Sequence, residues 1–82
     1  MTFSASDDEA AMKLLKGTSM TLQDIKDFED CEPDEAAALM KGYADDLKVP
    51  DKSFWQDLAN GLLSIEPYLP IASVLISAIP LL

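Results

Sequence analysis

The last 16 residues of this 82-residue chain, Pro67 to Leu82, carry no charge. The rest of the chain is the reverse. Residues 1–57 hold 14 acids against 6 Lys, and residues 58–82 hold only Glu66. An apolar segment of this length must be hidden by protein, dissolved in lipid, or handed to something that processes it. The apolar fraction, 49%, is high enough for a packed core, so the net charge of -9 does not make the chain a disordered polyelectrolyte. Eighty-two residues suit one small domain (1–82), an acidic amphipathic body over 1–66 followed by the apolar segment 67–82.

Helix signals punctuate the body. Ser6-Asp7-Asp8-Glu9 has capping-box spacing, Ala11, Leu14 and Leu15 share a face, and Gly17 supplies a left-handed stop. Thr21 caps a second short helix with Asp24 at its third position. Met20 and Ile25 occupy the places of a hydrophobic staple, and Leu22, Ile25 and Phe28 form the apolar stripe. Pro33 fits a first helical position, and Asp34 and Glu35 favour the positive end of the dipole. Ala36, Leu39, Met40, Tyr43 and Leu47 recur at helical spacing. Gly42 within that run either weakens it or admits a close neighbour. Val49-Pro50 ends this third helix. Asp51 or Ser53 caps a fourth, with Phe54, Leu58, Leu62 and Ile65 along one face and Trp55 beside them.

The prolines at 67, 70 and 80 bracket a fifth helix over about 67–79, since first-turn amides need no partner inside the helix. The β-branched Ile71, Val74, Ile76 and Ile79 leave a buried strand as the lesser alternative. Thirteen helical residues span about 20 Å, short of the roughly 30 Å hydrocarbon core of a bilayer, and no Lys or Arg follows Lys52 to anchor either end. The expected fold is therefore all-α: a bundle of four to five short helices with an apolar C-terminal helix. Its core would hold Leu14, Leu15, Ile25, Phe28, Leu39, Tyr43, Phe54, Leu58, Leu62, Leu69, Val74 and Leu75.

Chemistry-bearing residues are few. There is no histidine, and one cysteine, which removes the preferred zinc ligands and any internal disulfide. Met1 to Glu9 has no basic residue and no long apolar run after it, so a signal peptide is not expected and a cytoplasmic location is. Cys31 lies among carboxylates that disfavour its thiolate, and no histidine is present to activate it or any Ser or Thr. No catalytic residue and no cofactor is expected. Seven acids (Asp24, Asp27, Glu29, Asp30, Glu32, Asp34 and Glu35) crowd a stretch of twelve residues. Counted as an EF-hand from Asp30, the sixth position is Glu35 where glycine belongs and the twelfth is Lys41, so no metal site is expected. The stretch reads as solvated helix ends, or as an acidic surface for a basic partner. Nucleic acid is excluded as a partner by the repulsion between a chain of charge -9 and a polyanion.

Two stretches resemble known families, and each departs where the family's function resides. Ser53–Leu63 (SFWQDLANGLL) is similar to the segment around the carrier serine of acyl carrier proteins, but Gly61 stands where the phosphopantetheine serine belongs. Thr21–Tyr43 resembles a helix-turn-helix of phage-repressor type, but its second helix opens Pro33-Asp34-Glu35, with acids where phosphate and base donors are needed.

The expected function is binding without catalysis, in a protein–protein interaction or oligomerisation module. Its apolar C-terminal helix is buried in the core or against a partner, a second copy included. Trp55, Leu69, Ile71, Val74, Leu75 and Ile79 are the interface candidates. The alternative is a membrane-associated or membrane-anchored protein that inserts 67–82 into lipid. A third reading is a precursor with an acidic helical leader and an apolar substrate end.

Overall fold

A computed structural model describes residues 4–46, 49 and 53–82. Five α-helices and two single-turn 3₁₀ segments appear among them, with no strand: α1 (Ala5–Leu14), α2 (Leu22–Lys26), α3 (Pro33–Asp45), α4 (Ser53–Leu62) and α5 (Leu69–Ala78). The 3₁₀ turns, Glu66–Tyr68 and Ile79–Leu81, flank α5. The protein is a small all-α bundle.

Local chemistry sets the ends of the first three helices. Ser4, rather than Ser6, caps α1: its Oγ accepts the Asp7 amide at 3.2 Å and donates to Asp7 Oδ2 at 2.8 Å. Ser4…Asp7 and Ser6…Glu9 have the same spacing. The earlier pair lengthens the helix by two residues and keeps Asp7 and Asp8 in its first turn, at the positive end of the dipole. Gly17 sits at φ 85°, the left-handed geometry that ends α1. Thr21 and Asp24 form the anticipated reciprocal cap of α2, and the staple residues Met20 and Ile25 are both buried. Pro33 opens α3 as anticipated. That helix stops at Asp45; Leu47, Pro50 and Asp51 lie outside the described residues. Ser53 is the first residue of α4, not its cap.

The apolar α5 lies at the centre, packed against α4 and α3, while α1 covers the other side of α4 and contacts α2. Its Ile71, Ala72, Leu75 and Ala78 are fully buried. The face that α3 offers is built of small and flexible residues, Ala36, Ala37 and Met40, so the helices approach closely and Leu39 is displaced to the rim at 38% exposure. Leu39 and Leu69 were expected in the core and both are exposed. Leu14, Tyr43 and Val74 are half-buried against it, and the other expected core residues are inside. Among the described residues no neighbour comes near Gly42. The close approach is at Gly61, where a Cβ would lie 2.6 Å from Leu14 Cδ2, so this glycine sets how α1 rests on α4.

The fold hides one face of its apolar end. The chain exposes 4785 Å², and about 4,800 Å² is the area a folded monomer of this mass is expected to show. Its radius of gyration, 11.5 Å, likewise matches the roughly 12 Å expected of a compact chain of this length. The buried part of α5 therefore needs neither lipid nor a second subunit to cover it.

Candidate functional site

Trp55 is the hub of an aromatic cluster joining α3, α4 and the turn after α2. Its ring centroid is 5.2 Å from that of Phe54, 6.1 Å from Phe28 and 6.2 Å from Tyr43, and Phe28 and Tyr43 are 6.0 Å apart. The tilted and edge-on geometries are those aromatic pairs prefer. Trp55 was expected at a partner interface, but it is 1% exposed, and Ile71 and Leu75 are fully buried as well. A partner reaches these three only if the bundle opens. Their burial follows from α5 being central: the most apolar side chains of α4 and α5 face each other.

Of the other interface candidates, Val74 and Ile79 are half-buried and Leu69 is open to solvent. Leu69 has company that periodicity alone did not select. Ile76, seven residues on, lies on the same face of α5 at 40% exposure; Leu81 is exposed just after α5 and Leu63 just after α4. Ser73 and Ser77 are exposed on the same helix. The outer side of α5 is thus an uncharged strip of aliphatic, prolyl and seryl side chains. The signal for Ile76 was present in the 69/76 spacing, hidden because the whole segment is apolar.

The acids mostly hold helix ends. Asp24 Oδ2 accepts the Thr21 amide at 3.0 Å, Glu35 Oε1 accepts the Glu32 amide at 3.1 Å, and Asp27 Oδ1 accepts the Gln23 side chain at 3.0 Å. Asp34 stands in the first turn of α3, and Glu29 and Asp30 occupy the exposed turn after α2. No cluster of three or more His, Cys, Asp or Glu able to hold a metal occurs among the described residues. The Cys31 thiol is held up in pKa chiefly by burial and then by Glu35, Asp27 and Asp30, and it donates to the Asp27 carbonyl at 3.3 Å. It is kept as a thiol, the unreactive form.

One polar contact ties the two ends of the chain together. Tyr68, fully buried at the start of the C-terminal segment, donates its hydroxyl to Asp8 Oδ1 on α1 at 2.7 Å, and Lys26 Nζ on α2 lies 3.5 Å from the same oxygen. Burial first, then the Asp8 hydrogen bond and charge, push the phenol well above its usual range. Sequence spacing gave no sign of this contact, which spans 60 positions.

Comparison with known proteins returns no matching family, curated protein or solved structure.

Proposed function

We propose that the protein works by binding another protein chain, without catalysis, and that the outer strip of α5 is where it does so. The observation that carries this reading is the exposure of Leu69 and Ile76 on a helix whose inner face already fills the core, with Leu63 after α4 and Leu81 after α5 exposed as well. A fold that has hidden the rest of its apolar segment leaves these four in water, within a region that carries a single charge over residues 58–82. The partner is a protein chain with an apolar face, a second copy included.

Membrane anchoring, the runner-up, has less support. No helix among the described residues is long and apolar enough to cross a membrane. The ten residues of α5 span about 15 Å, and inserting them would strip the core of its central helix.

Sedimentation of the full chain over a wide concentration range, with and without vesicles, tests the proposal. Mass that rises with concentration, and falls back in Ile76→Glu at unchanged helical circular dichroism, supports homotypic contact. A chain that stays monomeric but pellets with neutral lipid vesicles would sink it in favour of the membrane.

A further inference from the structure

The second exposed apolar region lies away from the C-terminal segment. Gly17 turns the chain between α1 and α2, and the corner leaves a groove of about 530 Å³, inside the range of about 300–1,000 Å³ typical of small-ligand sites. Its apolar lining is Met12, Leu15, Met20 and Leu22, with Met12 58% exposed. Unbranched methionines adapt to an irregular or flexible guest.

The polar side chains of the groove are nearly all committed. Thr18 Oγ1 donates to the Leu15 carbonyl at 2.7 Å and accepts the Met20 amide at 3.2 Å. Thr21 Oγ1 accepts the Asp24 amide at 3.3 Å, and the Gln23 amide donates to Asp27. Lys16 remains. Its ammonium makes no ion pair among the described residues, in a chain with 15 acids to 6 Lys. Local charge is inverted here: residues 10–23 contain Lys13 and Lys16 and no acid, although the whole chain carries -9. Asp24 follows directly; its carboxylate accepts the Thr21 amide, and it is not among the residues lining the groove, whereas Lys16 is.

We infer that this groove binds a fatty acid, its alkyl chain against Met12, Leu15, Met20 and Leu22 and its carboxylate at Lys16. A peptide would find few free polar partners here, whereas an alkyl chain needs none. The site is separate from the α5 strip and goes beyond the protein-binding reading.

Titration calorimetry with dodecanoate below its micelle concentration, alongside carbon-13 spectra of the methionine methyl groups, tests the assignment. The expected result is saturable one-to-one binding that shifts the Met12 and Met20 methyl signals. Each CH₂ removed from the ligand weakens binding by about two- to fourfold. Lys16→Glu weakens dodecanoate by about fivefold or more and leaves dodecanol unchanged, and Met12→Asn weakens both. Both positions are exposed, so both variants keep the fold, which circular dichroism confirms. Absence of saturation, equal affinity for dodecyltrimethylammonium, or shifts at other methyls with Met12 and Met20 unmoved overturns the inference. Any of these results leaves the α5 reading standing, because self-association is measured without ligand.

Discussion

Residues 4–46 and residues 53–82 reach the same helical state by different means. In the N-terminal part, ends are fixed by hydrogen bonds between near neighbours: Ser4 on Asp7, Thr21 with Asp24, Glu35 on the Glu32 amide, and Gly17 in the left-handed region. Of these helices, α1 and α2 bury little, with Ala11 alone fully inside from α1 and Ile25 alone from α2, while α3 buries Ala36, Ala37 and Met40. In the C-terminal part no side chain caps α5, yet four of its residues are buried and Phe54, Trp55, Leu58, Ala59 and Leu62 of α4 are as well. The acidic region is held in shape by its termini and the neutral region by its contacts. Isolated short helices are marginal in water, so the first region depends on the second for tertiary stability.

The largest test of that dependence is a chain ending at Glu66. It loses Tyr68, Ile71, Ala72, Leu75 and Ala78 from the core, and its thermal melt by circular dichroism should lose the cooperative transition. An unchanged melt would break the comparison outright. Next in size is the contrast between the two sides of α5. Leu75→Ala, at a fully buried site, should cost about 2–5 kcal/mol in urea unfolding. Ser73→Ala, on the exposed side, should stay within about 0.5 kcal/mol.

The Tyr68–Asp8 contact joins the two regions and gives the fold an alkaline limit. The folded phenol is raised above the ordinary tyrosine value near 10. The folded state therefore holds this proton more tightly than the unfolded one. The resulting stability is fully present below about pH 10 and is lost as pH rises through the folded value. Tyr43, raised by burial and then by Asp24 and Asp27, acts in the same direction. Urea midpoints should fall above pH 10, and Tyr68→Phe should start less stable in neutral solution and flatten that fall. Smallest are the caps. Thr21→Ala and Ser4→Ala should each cost about 1 kcal/mol, while Ser6→Ala should stay within about 0.5 kcal/mol. A larger loss at Ser6 would return the cap of α1 to the later of its two overlapping patterns.

Much of this architecture was legible in residue order because it is local. The all-α class, the stop at Gly17, the reciprocal cap at Thr21, Pro33 as an opening residue and the prolines around α5 all rest on interactions spanning a few positions. Periodicity also found Leu15, Ile25, Phe28, Phe54, Leu58 and Leu62, because amphipathic helices separate their faces. It failed where the segment is apolar all round. Leu69 and Ile76 cannot be told from Ile71 and Leu75 by polarity, and only the positions of α3 and α4 decide which are covered.

Chain order alone thus determined the starts of α2 and α3, the stop at Gly17 and which end of the molecule is acidic, since these follow from neighbouring backbone groups and from composition. Tertiary structure decided the rest: Trp55 inside rather than at an interface, Gly61 rather than Gly42 as the point of close approach, and Tyr68 bonded to Asp8. These outcomes depend on distances between segments far apart along the backbone, and three-dimensional packing alone sets those distances.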